Sequence, residues 1–148
     1  MRKLRTVVTG VVLVLAAAQA IRPDRTNPPA DPAASFEAMV HPPQPVAEVL
    51  SRSCRDCHTH HTVWPWFSKI APVSWLVVHD VREGRAHMNL SEWNSYSPEK
   101  SRKLMRDMCE EVKGGDMPLS YYTPLHPAAR LTDKDVAAVC SLGSATTP

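Results

Sequence analysis

Two cysteines and a histidine within five residues, Cys54-Arg-Asp-Cys57-His58, constrain this 148-residue chain more than any other feature. The spacing Cys-x-x-Cys-His is the attachment signal for c-type haem. Two thiols must reach two neighbouring vinyl groups on one porphyrin edge, and the next residue then lies at one axial face of the iron. The motif predicts one covalently bound haem c, with Cys54 and Cys57 as its attachment points and His58 as the proximal iron ligand.

Two other kinds of site can contain a Cys-x-x-Cys pair. A thiol–disulfide redox pair does not need the histidine, and it belongs in a thioredoxin-like βαβ context that this sequence lacks. A zinc site could add His60 or His61 to the two thiols, but exported proteins seldom rely on one. The sequence therefore favours haem, and His60 and His61 are expected at its rim.

The first twenty residues predict export. A basic start with Arg2, Lys3 and Arg5 leads into an apolar run that ends in Ala18-Gln19-Ala20. This order is typical of a secretory signal peptide, and the run is shorter than the roughly 20 apolar residues of a membrane span. We expect residues 1–20 to be a signal peptide or an N-terminal anchor, and the protein to be periplasmic or otherwise exported, with anchoring to the inner membrane left open.

Charge excludes one class of partner. Without the basic residues of the N-terminal segment the formal charge changes from +2 to −1, and no clustered basic run follows. Nucleic-acid binding is therefore not expected. The expected partners are redox proteins, together with a membrane if the N-terminal segment serves as a tether.

Periodicity and helix signals predict an all-α, cytochrome c-like domain of about four helices with long irregular connections around one haem. Residues 21–44 are rich in proline and predict an extended arm, 45–142 the haem domain and 143–148 a flexible tail. No segment of any length alternates with the period of a strand. The predicted helices lie near Val46–Ser53, from Pro72 to about His87, from the N-cap Ser97 to Gly114, and from Thr132 onwards.

The second axial ligand is less constrained. Met117 is favoured because it follows a Gly-Gly helix stop and precedes Pro118, on a loop free to bend a thioether towards the iron. The rivals are His79, in an apolar helix, His87, and an open site. Ligation by histidine and methionine suits electron transfer, whereas an open site would admit a small molecule.

Several side chains could surround the haem. Trp64, Trp66 and Trp75 are candidates for packing on or near the porphyrin, or equally for general core aromatics. Arg82 or Arg85 could pair with propionates, although the favoured interpretation of each is an ordinary surface arginine. The Arg-Asp pair inside the motif is expected to face away from the iron and receives no role.

Further stretches accompany the motif, and together they resemble a known family. They are Trp64-Pro-Trp-Phe-Ser68, Ile70-Ala-Pro-Val-Ser-Trp75, His79 to Val81, Glu83-Gly-Arg85, Asn89-Leu-Ser-Glu-Trp93, Tyr96-Ser-Pro-Glu-Lys100, Met117-Pro-Leu119 and the arm Arg22-Pro-Asp-Arg-Thr-Asn-Pro-Pro29. The sequence resembles the small bacterial haem-binding-domain family of c-type cytochrome-like proteins over nearly the whole chain after residue 20. The resemblance implies an exported haem domain with a cytochrome c-like helical fold and implies no defined reaction. Leu90 departs from the family pattern, which has an aromatic residue there.

Cys109 and Cys140 lie outside the family pattern, on apolar faces of two predicted helices. A disulfide between them and two separate buried thiols are both compatible with the sequence. The function predicted from all of these features is that of an exported monohaem c-type cytochrome that carries electrons. The alternative is a haem enzyme or sensor for peroxide or a diatomic gas, with an open or weakly held sixth site.

Overall fold

The structure, a computed structural model, describes residues 1–144 and contains no strand within them. The predicted all-α class is confirmed. Of the predicted tail, 145–148 lie outside the described residues, while Gly143 and Ser144 end the last helix. The α-helices are α1 (Arg2–Ala18), α2 (Phe36–Val40), α3 (Gln44–Val49), α4 (Arg55–His58), α5 (Val73–His87), α6 (Pro98–Gly114) and α7 (Asp133–Ser144). Short 3₁₀ turns lie at Pro32–Ala34, Trp66–Lys69, Leu90–Ser95 and Pro127–Ala129.

The four predicted helices correspond to α3, α5, α6 and α7. The helix signals were local, and the structure uses them: the Ser97 hydroxyl accepts a hydrogen bond from the Lys100 amide at 3.3 Å. At α7 the Asp135 carboxylate accepts from the Thr132 amide at 2.8 Å, and the Thr132 hydroxyl accepts from the Asp135 amide at 3.3 Å. Gly115 ends α6 in the left-handed region, with φ of 78°.

Helices α6 and α7 pack against each other and are joined by a disulfide between Cys109 and Cys140, whose Cα atoms are 4.6 Å apart. Of the two possibilities that the sequence left open, a disulfide or two separate thiols, the structure contains the disulfide. The buried core lies between these helices, α3 and the 3₁₀ turn at Leu90–Ser95. It comprises Phe36, Val46, Val49, Leu50, Met88, Leu90, Trp93, Leu104, Met105, Met108, Val112, Val139 and Leu142.

The haem-motif segment is helical. Helix α3 continues through a π-helical segment, Leu50–Cys54, into α4, so that the chain from Gln44 to His58 is almost continuously helical. Arg52 in the π segment donates to the carbonyl oxygens of Ala128 at 2.6 Å and Arg130 at 3.0 Å, and pairs with Asp135 at 2.7 Å. Such π segments are frequent at functional sites. Through these contacts Arg52 connects the π segment to the start of α7.

The core begins before residue 45, inside the predicted arm. Phe36 in α2 is fully buried and meets Trp93 edge to face, with ring centroids 4.7 Å apart. Earlier arm residues follow the surface of the domain: Arg25 donates to the carbonyl oxygen of Ser68 at 2.6 Å, and Asn27 donates to that of Thr62 at 2.9 Å. The arm is therefore part of the fold. The sequence did not show this, because the contacts of the arm are with distant segments and leave no periodic signal.

Helix α1 is exposed along nearly its whole length. Its contact with the domain is made just beyond its end, where Gln19 donates to the carbonyl oxygen of Ala71 at 3.1 Å and accepts from the Ala71 amide at 3.0 Å. None of the helices within residues 1–144 combines the length and the apolar character that crossing a membrane requires.

Candidate functional site

A cavity of about 730 Å³ lies between α4, α5, α6 and the loop that follows α6. Its volume is within the range of small-molecule and cofactor sites, about 300–1,000 Å³. Motif residues line one side and α6 lines another. The lining residues are Ser53, Cys54, Asp56, Cys57, His58, Asp80, Glu83, Gly84, His87, Met88, Lys100, Lys103, Leu104, Asp107, Met108, Glu110, Glu111, Val112, Met117, Pro118, Leu119, Tyr121 and Tyr122.

The structure brings Cys54, Cys57 and His58 to this cavity, as the motif predicts. Both cysteines carry free thiols. Burial raises the pKa of Cys54 to about 12 and that of Cys57 to about 11. At neutral pH these thiols are protonated, and the two side chains form an uncharged pair on the cavity wall.

The imidazole of His58 is oriented by the backbone of α5. Its Nδ1 lies 3.0 Å from the carbonyl oxygen of Met88, at the end of α5. A carbonyl oxygen only accepts, so Nδ1 carries the proton and Nε2 keeps a free lone pair. Burial also lowers the pKa of His58, which favours the neutral ring. A histidine that ligates a metal through one nitrogen typically donates from the other in this way.

Gly84 lets α5 approach the motif. A Cβ atom at this position would lie 2.7 Å from the carbonyl oxygen of Cys57, closer than real contacts allow. The close contact between α4 and α5 therefore requires a glycine at this position. The hydrogen bond from His58 to the Met88 carbonyl oxygen depends on the same contact. The sequence shows Gly84 within Glu83-Gly-Arg85, but a glycine inside a predicted helix does not reveal what it faces.

Among the candidates for the second axial ligand, Met117 and His87 line the cavity and His79 does not. Met117 is half-buried and packs against the core. His87 has a side chain that is 81% exposed and lies 3.9 Å from the Glu83 carboxylate. His79 is exposed on α5. The arrangement thus favours the thioether of Met117 over either imidazole.

The tryptophans lie outside the cavity in which a haem is expected. None of Trp64, Trp66 and Trp75 lines the cavity, and Trp66 is 73% exposed. The indoles of Trp64 and Trp75 donate instead to the arm, to the Asn27 side chain at 3.2 Å and to the carbonyl oxygen of Ile21 at 2.9 Å. Apolar residues near a motif in sequence need not face its ligand, and these contacts join segments distant in sequence.

His60 and His61 do not line the cavity either. His61 is exposed, whereas His60 is buried. The Nδ1 of His60 lies 3.0 Å from the carbonyl oxygen of Pro29, and its Nε2 lies 2.8 Å from the side-chain nitrogen Nδ2 of Asn89. Both ring nitrogens of His60 are therefore used, so it is not available as a zinc ligand beside the motif cysteines. Within residues 1–144, no group of three or more histidine, cysteine or acidic side chains is arranged to hold a metal ion.

Neither arginine that was considered as a propionate partner lines the cavity. Arg85 is turned away from the cavity and donates to the Thr59 carbonyl oxygen at 2.8 Å and to the side chains of Asn27 and Thr62, each at 2.9 Å. Arg82 is exposed and does not line the cavity. Basic side chains that do line it, among the described residues, include Lys100 and Lys103 on α6.

Two tyrosines that sequence reasoning missed line the cavity beside Met117. The Tyr121 hydroxyl donates to Asp80 on α5, and the Tyr122 hydroxyl donates to Asp56 inside the motif, each at 3.1 Å. Asp56 thus faces the cavity, contrary to the expectation for the Arg-Asp pair. A tyrosine–aspartate contact across more than 40 residues has no local sequence signal.

The donor set of the cavity fits a haem. Two thiols, an oriented imidazole and a thioether share one cavity, together with apolar wall residues such as Leu104 and Val112. Two thiols three positions apart on a helical turn could each reach a vinyl group on one porphyrin edge. Soft sulfur and imidazole ligands also match iron in a porphyrin.

Comparison with known proteins agrees with this geometry. A family model described as a haem-binding domain matches residues 13–143, which is most of the chain. No curated protein and no solved structure gives a significant match. The matched region contains the cavity, the motif and Met117. The chain therefore belongs to the haem-binding domain family.

Proposed function

We propose that this haem-binding protein is an exported monohaem c-type cytochrome, an electron carrier with His58 and Met117 as axial ligands of the iron. One observation carries the proposal: a single cavity gathers Cys54, Cys57, His58 and Met117 from two distant parts of the chain. Cys54 and Cys57 would form thioethers with one haem, which supplies the one-electron redox chemistry when bound.

The protein's own residues would fix the proximal ligand and enclose the site. The bond from His58 Nδ1 to the Met88 carbonyl oxygen orients the ring and leaves Nε2 for the iron. Met117, on the loop after α6, would occupy the opposite axial position. Two filled axial positions leave no site for an exogenous ligand and favour electron transfer over catalysis.

Export is supported by two features. Residues 1–20 have the order of a secretory signal, and α1 contributes no buried residue to the domain. The disulfide between Cys109 and Cys140 is typical of oxidising compartments. We place the protein in the periplasm, free or tethered to the inner membrane by an uncleaved α1, with redox proteins as partners. N-terminal sequencing of protein purified from exported fractions tests this, since cleavage after Ala20 should leave Ile21 first.

Covalent attachment is tested by mass. Protein matured with a c-haem assembly system should keep the haem mass after denaturation, and Cys54→Ala/Cys57→Ala should lose it. The matched control, Cys109→Ala/Cys140→Ala, removes two cysteines outside the cavity and should keep the haem. Loss of haem from wild-type protein on denaturation would contradict the c-type assignment.

Axial ligation is tested by absorption spectroscopy with and without carbon monoxide, comparing wild type with Met117→Leu and Met108→Leu. Both methionines line the cavity and leucine conserves the volume, so the pair separates ligation from packing. Wild type and Met108→Leu should show thioether ligation and resist carbon monoxide, whereas Met117→Leu should lose both properties. Wild type that binds carbon monoxide readily, with no change in Met117→Leu, would instead favour a haem enzyme or gas sensor.

A further inference from the structure

The loop after α6, residues 115–126, crosses the cavity and is attached at both ends; we refer to it as the closing loop. At its start, the carbonyl oxygen of Glu111 in α6 accepts from the amides of Asp116 at 3.1 Å and Met117 at 3.3 Å. Further along, Tyr121 and Tyr122 reach the opposite wall of the cavity. Met117 therefore lies on a segment fixed to both walls.

The opposite wall is made of α4 and α5, which carry the two acceptors. Asp80 on α5 accepts from Tyr121, and Asp56 on α4 accepts from Tyr122. Asp56 stands between the two motif cysteines, so its position is tied to the attachment site itself. These hydrogen bonds connect the closing loop, which contains Met117, directly to α5 and to α4, the helix that contains Cys57 and His58.

The two hydrogen bonds differ in environment. Tyr122 is half-buried, its ring stacks on His126 with centroids 3.9 Å apart, and the other oxygen of Asp56 accepts from the Val63 amide at 3.1 Å. Both partners of that bond are therefore held in place. Tyr121 is 49% exposed, so water competes for its hydroxyl and for Asp80. The Tyr122 bond is expected to contribute most.

We infer that Tyr121 and Tyr122 are positioning residues that hold the closing loop across the haem cavity and thereby keep Met117 at the iron, with Tyr122–Asp56 as the dominant bond. The inference rests on the proposed function for its consequence at the iron. The holding of the loop itself is independent of which group ligates the metal.

The experiment compares haem-loaded wild type with Tyr121→Phe, Tyr122→Phe and the control Tyr96→Phe. Tyr96 does not line the cavity, and its hydroxyl accepts from the Asn89 amide at 2.9 Å, so the control also loses one hydrogen bond. Two quantities are measured: hydrogen exchange of amides in the closing loop, and the rate at which the reduced protein binds carbon monoxide.

Tyr122→Phe should raise both quantities about tenfold, as expected for loss of a hydrogen bond to a charged acceptor. Tyr121→Phe should raise them by less than about threefold, because its bond is exposed to water. Tyr96→Phe should leave the amide exchange of the closing loop unchanged, even where it lowers the free energy of unfolding. Carbon monoxide binding is not compared for this control, because the Asn89 amide that bonds Tyr96 belongs to the same peptide unit as the Met88 carbonyl oxygen that orients His58.

Unchanged loop exchange in Tyr122→Phe overturns the inference, whatever the spectrum. Equal increases of loop exchange in Tyr122→Phe and Tyr96→Phe also overturn it, because they would indicate general destabilisation. Raised loop exchange in Tyr122→Phe supports it. If that rise occurs while Met117→Leu leaves the wild-type spectrum unchanged, the assigned axial ligand fails and the role of the tyrosines in holding the loop stands.

Discussion

His58 Nδ1 lies 3.0 Å from the carbonyl oxygen of Met88, so the imidazole that follows the two motif cysteines is oriented by the last turn of another helix. The acceptor is a backbone atom, and its position depends on the path of α5 and not on the Met88 side chain. Substitutions that displace α5 should therefore alter the site more than substitutions at position 88.

The first prediction concerns the tautomer of His58. In the reduced, haem-loaded protein, nitrogen-15 NMR should show a proton on Nδ1 that exchanges slowly with water, because it is buried and bonded to the Met88 carbonyl oxygen. Exposed His61 provides a rapidly exchanging reference in the same sample. A proton on Nε2 of His58 would contradict the orientation described here.

Gly84→Ala should damage the site. The new methyl group would meet the Cys57 carbonyl oxygen at 2.7 Å, so α5 must move away from α4. We expect the free energy of unfolding to fall by about 2 kcal/mol and haem incorporation to decrease.

Gly143→Ala is the matched control for that substitution. Its nearest neighbour would be Arg106 Cγ at 3.7 Å, an ordinary contact, so alanine should be neutral or stabilise α7 by up to about 1 kcal/mol. Urea unfolding and haem content measure both effects. Equal destabilisation by the two alanines would show that the approach of α5 to Cys57 is not the cause.

Asp135→Asn should destabilise the protein in a pH-dependent way. The hydrogen bond from the Thr132 amide and the contact with Arg52 lower the pKa of Asp135 to about 2. Because the folded-state pKa lies below the unfolded value of about 3.9, the ionised carboxylate stabilises the fold above that pH, and this stabilisation is lost as pH falls towards 2.

Urea unfolding across that pH range checks this prediction. At pH 7 the substitution should cost about 1 kcal/mol, the usual effect of losing an N-terminal capping bond. The wild-type and Asp135→Asn curves should converge near pH 2. Asp133→Asn, in the same helical turn and without a described bond to Arg52 or Thr132, is the matched control and should cost less stability at pH 7 than Asp135→Asn.

Cys109→Ala/Cys140→Ala should lower the free energy of unfolding by about 3–4 kcal/mol, the loop-closure contribution of a cross-link across 31 residues. Chemical denaturation of haem-loaded protein measures it. Haem content and the visible spectrum should not change, since neither cysteine lines the cavity. A change in the spectrum would mean that the disulfide also shapes the haem site.

Local signals predicted much of this fold. Helices α6 and α7 were predictable because the capping groups Ser97 and Asp135 lie three residues from the amides or hydroxyls that they bond. Three motif residues and Met117 were identifiable because their residue types and spacing have chemical reasons. These residues, Cys54, Cys57, His58 and Met117, line the same cavity.

Contacts between distant segments were not predictable in the same way. Phe36 lies in a proline-rich stretch, and nothing near it indicates that it packs on Trp93. Tyr122 and Asp56 are 66 residues apart, and one sequence does not show which tyrosine meets which carboxylate. For the same reason the sequence did not show that the indoles of Trp64 and Trp75 donate to the arm.

The four cysteines form two pairs with opposite chemical requirements: Cys109 and Cys140 are joined as a disulfide, whereas thioether formation would need Cys54 and Cys57 as free thiols. Four thiols can pair in three ways, and in two of them a motif cysteine is joined to Cys109 or Cys140 and lost to thioether formation. By bringing Cys109 and Cys140 together across α6 and α7, the fold leaves Cys54 and Cys57 as its free thiols. If the proposed function holds, oxidation would then consume only Cys109 and Cys140, and both motif thiols would remain available for thioether formation with the haem.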